Sequence, residues 1–439
     1  MSLPRYPNYK DSGVEWLGEV PGHWTLPKLK SIASFSGGGT PSRENLAYWN
    51  GDIPWVSPKD MKTESIVGAE ESITAEGLRS SASNLLPAGR VLIVVRSGIL
   101  KHTIPVAINE TAVALNQDMK ALNFDASKCI SRFFFRWVQG HNDLLLLAWA
   151  KQGATVESIE HTYLAETVVP LPGVTEQTQI AAFLDRETAK IDELVAEQLR
   201  LMALLKEKRQ AVISHAVTRG LNPHAPLKPS GIEWLGDVPE HWDVLKGSLI
   251  GTLFGSEQVP EESVTEEGDL PFIKVGSMSS DSFEIESWNW FVDTTVASRY
   301  KPRSGFIVFP KRGAAIFNNK VNVVYRPALI DPNLMGWEIG ERAVTAFIAY
   351  ALKSRKIDEL ADVSTVPQIN NKHIGPERFP VPPLPEQRQI VEFLGAELAK
   401  LDVLTTEAQR AIDLLQERRT ALISAAVTGQ IDVRGAAMI

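Results

Sequence analysis

The apolar positions of this chain keep two different rhythms. Between Glu176 and Thr218, Ile180, Leu184, Ile191, Leu194, Leu201 and Leu205 recur in steps near three and four, with Glu, Lys and Arg filling the other faces. Between Glu386 and Thr428 the scheme returns in Ile390, Leu394, Leu401, Leu404, Ala411 and Leu415. Both stretches predict long amphipathic helices. Neither holds a proline, and the LPGVTEQ and PPLPEQ runs before them halt any earlier helix and supply an entry. Unbroken, each would span about 65 Å at a rise of 1.5 Å per residue, and the pattern leaves room for a break near Asp185 and Arg186. A stripe of that length needs cover. Two matched stripes in one chain predict that the segments pair with each other as a coiled coil, the alternative being that each lies on its own domain.

The stretches between the helices read as α+β. Asn50-Gly51 predicts a hairpin turn ahead of the run Ile53 to Val56, Arg90 to Arg96 predicts a buried strand, and Ser131 to Trp149 an apolar helix. In the second half, Phe306 to Phe309 and Val321 to Tyr325 predict strands, followed by a helix around Arg342 to Leu360.

The halves are copies of one another. Ser12 to Trp24 (SGVEWLGEVPGHW) and Ser230 to Trp242 (SGIEWLGDVPEHW) are identical at 10 of 13 positions, and Glu176 to Thr218 matches Glu386 to Thr428 at 23 of 43. Between them GDIPWV at Gly51 pairs with GDLPFI at Gly268, and GRVLIVVR at Gly89 with GFIVFPKR at Gly305. The order is preserved, so each half is one unit: a Trp-rich entry, a divergent middle and a closing helix. A duplicated scaffold with two diverged middles implies two related surfaces, each for its own ligand.

Composition narrows the class. With 439 residues, 44% hydrophobic and 22% charged, disorder and fibrous folds are excluded. The net charge of -8 argues against a protein that coats nucleic acid by bulk positive charge. A lone cysteine, Cys129, can form no internal disulfide or thiolate zinc cluster, which makes the cytoplasm the expected compartment. The longest apolar run, Leu144 to Ala150, is far below the roughly 20 residues of a membrane span, and the first residues carry no apolar signal, so neither membrane nor secretion is expected.

Catalytic signatures are missing. Gly37-Gly38-Gly39-Thr40 lacks the lysine of a phosphate loop and reads as a turn, and the eight histidines have no metal-ligand spacing. His23 and His241 lie inside the duplicated Trp motif, where a structural role is expected. Cys129 has no nucleophile signature around it, and Pro382-Pro383 lacks the polar and aromatic residues of an adenine-methylating loop. The triplets Asp60-Met61-Lys62 and Asp118-Met119-Lys120 are the weak basis of an alternative, a self-contained metal-dependent nuclease or methyltransferase. A protein-only adaptor is the third reading.

Partitioning the charge changes the picture. Gly77 to Asn109 has no acid and carries Arg79, Arg90, Arg96 and Lys101; Thr294 to Ile330 is also acid-free and carries Arg299, Lys301, Arg303, Lys311, Arg312, Lys320 and Arg326. Both windows cover the same position of the repeat, around the aligned GRVLIVVR and GFIVFPKR strands. One basic window per middle is the electrostatic footprint of a two-part reader of double-stranded DNA. Arg and Lys can hold phosphate or read guanine, and Asn and Gln can read adenine. The candidates are Arg96, Lys101 and His102 in the first middle, and Lys311, Arg312, Asn318, Asn319 and Lys320 in the second. Ser57 and Lys59, with Lys274 in the matching region, come next. Tyr300, Phe306, Phe309, Phe317 and Tyr325 interleave the second window, and strand alternation assigns some of them to the core.

The combination of SGxEWLGxVPxHW, a GGTPS-like segment with YWNGDIPWVSPKDM, and VPPLPEQRQIVEFL with a long charged helix, given twice, strongly resembles the specificity subunit of type I restriction-modification enzymes. The resemblance covers nearly the whole chain. It implies an α+β fold: a tandem pseudo-two-fold repeat of two globular target recognition domains separated by two long antiparallel coiled-coil helices. The expected boundaries are 1–170 and 223–380 for the recognition domains, 171–222 for the first helix, and 381–439 for the second with a tail. It further implies a non-catalytic subunit without a cofactor of its own. Separate modification subunits, expected to be two, would carry S-adenosylmethionine and methylate adenines, while separate restriction subunits would use ATP and Mg²⁺ to move on and cut DNA. Ile180, Phe183, Ile191, Leu194, Ile390, Phe393, Leu401 and Leu404 would dock the modification subunits and hold the spacer. GGTPS and YWNGDIPW are clear only in the first copy, so the two domains are expected to recognise different half-sites.

Overall fold

The structure, a computed structural model, describes residues 4–151, 153, 155–280, 282–285, 287–362 and 366–435. The chain divides into two compact units. The first joins Met1–Gln198 to Gln409–Ile439, and the second is Leu199–Ala408. Each long helix contributes one half to each unit. The last turns of the second helix, expected to form a separate element with the tail, belong to the core of the first unit through Ile423, Ala426 and Val427.

In the first unit a five-stranded sheet runs in the order Ala33–Gly37, Met119–Phe124, Val91–Val94, Val106–Asn109 and Ser65–Ile66. Neighbours are antiparallel except the last pair, and Leu122 stands opposite both Phe35 and Val91. Val91–Val94 is buried on both faces, which is why it reads as an uninterrupted apolar run rather than an alternation. The helix Ser131–Gly140 covers the sheet with Phe133, Phe134, Phe135, Trp137 and Val138. The predicted helix Ser131 to Trp149 is two helices, because the chain leaves helical geometry at His141 (φ -120°, ψ 15°) before Asn142–Trp149 resumes. Asn50-Gly51 makes no hairpin turn. It sits within the strand Trp49–Val56, where the register shifts and Asn50 takes φ 60°, so this turn-favouring dipeptide supplies a β-bulge instead. That strand pairs antiparallel with Ser72–Ile73 and parallel with Ala114–Leu115.

The second unit repeats the plan. Its sheet runs Gly251–Phe254, Leu334–Ile339, Phe306–Pro310, Asn322–Val324, and its small sheet again contains a parallel pair, Leu270–Ile273 with Leu329–Ile330. The helix Thr345–Arg355 takes the place of Ser131–Gly140 and ends in a tight turn at Ile357–Leu360, within the single helix expected over Arg342 to Leu360.

The long helices are Val174–Arg219 and Leu384–Val427. The first is continuous through Asp185 and Arg186, where a break was open; Asp185 accepts hydrogen bonds from Arg132 and Arg136. Antiparallel pairing is visible in both units through equivalent ion pairs, Arg419 with Asp192 at 2.9 Å in the first and Arg209 with Asp402 in the second. The pairing stripe is rotated from the expected one. The covered positions, buried or half-buried at helical spacing, are Ile191, Val195, Gln198, Met202, Leu205 and Arg209 on one helix and Leu401, Thr405, Ala408, Ile412, Leu415 and Arg419 on the other. Leu194 and Leu404 are off it, 45% and 50% exposed.

Candidate nucleic-acid interface

Each long helix begins in a duplicated anchor. In the first unit Glu176 accepts hydrogen bonds from Tyr6 (2.7 Å) and the Trp24 indole (3.1 Å) and lies 2.8 Å from His23. In the second, His241 lies 2.7 Å from Glu386. The next residues, Gln177 and Gln387, are fully buried. The Gln177 carbonyl accepts from the Ile130 N–H and its amide donates to the Lys128 and Pro172 carbonyls; Gln387 makes the same bonds to Val344, Arg342 and Pro382. The EQ dipeptide thus clasps the loop that starts each sheet-covering helix. His23 and His241 serve this framework.

Above the first sheet the framework opens a cleft of about 600 Å³. One wall is the GGTPS segment, whose glycines are required by contact: a Cβ on Gly38 would lie 1.9 Å from the Asn116 carbonyl, and one on Gly39 2.8 Å from the Ala82 nitrogen. Gly39 accepts a hydrogen bond from the Trp55 indole, and the Thr40 hydroxyl bonds to Gln117. Arg43 grips Glu71 with both terminal nitrogens and lies 3.9 Å over the Trp49 ring, and this grip holds the Glu71 carboxyl below the usual range.

The sequence-derived candidates divide here. Ser57, Lys59 and Arg96 line this cleft. Ser57 is buried and its hydroxyl donates to Asp60 at 2.8 Å in a reciprocal cap of the turn Pro58–Asp60, so its role is to shape the wall. Lys59 is exposed on that turn, and Arg96 is exposed with its Nε 2.5 Å from Asp118. Lys101 and His102 are exposed on and after the neighbouring turn Gly98–Lys101 and do not line the cleft. Asp60 and Asp118, the acids of the two Asp-x-Lys triplets, are bonded separately to Ser57 and Arg96, and no cluster of three metal-ligating side chains occurs among the described residues.

In the second unit Lys274 occupies the position of Ser57, with its ammonium 3.9 Å from the Trp290 ring centroid. Arg312 occupies the position of Arg96 and is exposed, with no side-chain partner among the described residues. Asn318 and Asn319 line a separate cleft of about 510 Å³ with Lys206, Arg209 and Gln210 of the first long helix; Lys311, Arg312 and Lys320 do not. Asn319 has φ 46°, donates to the Lys353 carbonyl and accepts from the Ile357 N–H, which spends its amide on the backbone. Phe306 and Phe309 are core, whereas Phe317 and Tyr325 are about half exposed.

The expected docking residues are mostly inaccessible. Ile180, Phe183, Ile390 and Leu401 belong to the cores of their own units, and Ile191 is buried on the pairing stripe. Leu194, Leu404 and Phe393 remain exposed, joined by the equivalent Leu204 and Leu414 at 54% and 56%. Arg43 and Gln117 were missed, and Trp55 and Asp118, quoted only within a family motif and an Asp-x-Lys triplet, were not assigned to this cleft. Among the described residues no helix is long and apolar enough to cross a membrane.

A profile of the type I restriction modification DNA specificity domain matches residues 21–200 and 239–411. The type I restriction enzyme EcoR124I/EcoR124II specificity subunit of Escherichia coli is 36% identical over 182 residues, covering 41% of this chain and 42% of that one. The MjaIX specificity subunit of Methanocaldococcus jannaschii is 22% identical over 435 residues, covering 95% of both. Among solved structures, one from work on complex assembly and conformational transition of the type I R-M system superposes with a TM-score of 0.73 at 16% identity, over 93% of this chain and 98% of that one. The HsdS subunit from Thermoanaerobacter tengcongensis gives 0.51 at 15% identity over the same shares. With two specificity domains in tandem on a duplicated framework, the chain belongs to the family of type I restriction-modification DNA specificity proteins.

Proposed function

We propose that this chain is the DNA-reading subunit of a type I restriction-modification complex, with one recognition domain per half of a bipartite site. The observation behind it is that one framework is built twice while its matching positions are equipped differently: Ser57 and an Arg96 paired with Asp118 in the first unit, Lys274 over Trp290 and an Arg312 without a side-chain partner among the described residues in the second. The basic residues of each middle supply phosphate affinity, and the different settings of the matched positions supply separate base preferences. Lys101, His102, Lys311, Asn318 and Lys320 are assigned to the surrounding phosphate-contacting surface. The subunit does no chemistry itself; adenine methylation and ATP-driven cleavage belong to partners that bring S-adenosylmethionine, ATP and Mg²⁺.

The paired helices fix the spacer and dock two modification subunits through the exposed leucines. Reconstituted with modification subunits, the chain is expected to protect a two-part site and direct methyl transfer to its adenines. Methylation without sequence dependence contradicts the reading. The double substitution Leu194→Asp with Leu404→Asp is expected to abolish assembly while leaving helicity and melting temperature unchanged, because both residues are off the pairing stripe. A destabilised but assembling variant would reverse that assignment.

A further inference from the structure

We propose that Arg96 reads a guanine in the half-site of the first unit and that Asp118 is its positioning residue. This rests on the DNA-reading function above and deepens it. A guanidinium carries five N–H donors in a fixed plane. The Arg96 Nε donates to Asp118 at 2.5 Å, leaving both terminal nitrogens without a protein partner among the described residues. The side chain is 52% exposed while Asp118 is 21% exposed, so the anchored edge faces protein and the opposite edge faces outward. Two parallel donors presented by an immobilised fork match guanine O6 and N7 in the major groove. Anchoring also removes in advance part of the rotamer entropy that reading would cost.

The other groups of the cleft are committed elsewhere. Arg43 is held bidentately by Glu71 and covers Trp49. Adenine reading needs an amide that accepts and donates together. The Asn116 carbonyl accepts from the Asp118 N–H at 3.0 Å, and the Gln117 carbonyl accepts from the Thr40 hydroxyl. Lys59 is a point charge suited to phosphate. Asp118 is itself fixed from both sides: its backbone carbonyl accepts from the Val95 N–H at 2.8 Å, and its second carboxylate oxygen lies 3.4 Å from the Gln117 amide.

The test uses the full chain reconstituted with modification subunits on a randomised duplex library, with methylated sites sequenced for wild type, Arg96→Ala, Arg96→Lys, Asp118→Ala, Asp118→Glu and Lys59→Ala. Arg96→Ala is expected to relax one guanine in one half-site by about 5- to 150-fold, the range of a lost bidentate contact, with the other half unchanged. Arg96→Lys should relax the same guanine, because one ammonium cannot fork. Asp118→Ala should relax that position less, Asp118→Glu should restore it partly, and Lys59→Ala should weaken all sequences alike and lower the salt dependence. Relaxation at a base other than guanine, or an unrelaxed motif in Arg96→Ala, overturns the assignment to Arg96. A motif unchanged in Asp118→Ala overturns the positioning role. A wild-type complex with no motif would overturn the DNA-reading function itself, and an intact second half-site in every variant marks correct folding.

Discussion

The two units solve one local problem with opposite chemistry. Ahead of the strand Met119–Phe124 the first unit has Asn116-Gln117-Asp118; ahead of Leu334–Ile339 the second has Asp331-Pro332-Asn333. The backbone is the same in both. The first residue's side chain accepts the N–H two residues on, at 3.0 Å in one and 2.7 Å in the other, and the third residue's carbonyl receives the strand that carries the arginine. The acid and amide have changed places. In the first unit the carboxylate reaches Arg96; in the second, Asp331 is bonded to the N–H and side-chain amide of Asn333, so Arg312 has no carboxylate from this turn. A framework held constant by turn geometry can therefore carry a pinned arginine on one side and an unpinned one on the other. The first arrangement suits base reading and the second suits phosphate.

A second contrast lies beneath the sheets. Arg136, 1% exposed, donates to Asp185, Glu64, Gln139 and Thr188, and Arg419 of the second long helix also donates to Glu64. At the equivalent position the second unit has Tyr350, stacked on Phe283 with ring centroids 4.0 Å apart. Arg136→Ala removes one member of a buried ionic group and is expected to cost about 3 to 5 kcal/mol, read as a lowered urea midpoint. Burial alone would raise the Glu64 carboxyl, but the Gln139, Arg136 and Arg419 contacts bring it below its ordinary value. Its folded pKa being depressed, its contribution is present at neutral pH and lost as the pH falls through the ordinary carboxylate range and below. Glu64→Gln should flatten that acid limb, and an unchanged limb would detach Glu64 from it.

The clasp tests what the units share. Gln177→Ala and Gln387→Ala each leave buried backbone groups unpaired and should cost about 1 to 3 kcal/mol, by similar amounts if the framework is common. Smaller still is the effect at Arg312. Arg312→Ala is expected to weaken binding uniformly across sequences and reduce the slope of log K against log salt by about 1, whereas a change in base preference would make it a reader like Arg96. At the low end are the exposed acids of the helix ion pairs: Asp402→Asn and Asp192→Asn should each change stability by less than about 1 kcal/mol, because a partly solvated ion pair contributes little.

The duplication, the long helices and the buried strand runs were legible because repetition and apolar periodicity are written directly in the residues. The stripe was misplaced for a physical reason. Hydropathy favours Leu194 and Leu404, yet the covered positions include Gln198, Thr405, Ala408, Arg209 and Arg419, which hydropathy does not mark. Asn50-Gly51 misled because the same φ > 0 serves a hairpin turn and a bulge. The cleft was half legible. Arg96 and Lys59 stood out by charge, but Arg43, Gln117 and Asp118 acquire their roles only when distant segments are brought together, as the bond from Thr40 to Gln117, 77 residues on, does.

Mapping methylated adenines in complexes that carry Arg96→Ala or Arg312→Ala chains beside the wild type asks whether each unit reads one half-site. The expected result is a two-part motif whose first-unit half alone loses base definition in Arg96→Ala, with both halves keeping theirs in Arg312→Ala. Loss of definition in both halves from the single Arg96 substitution would contradict it.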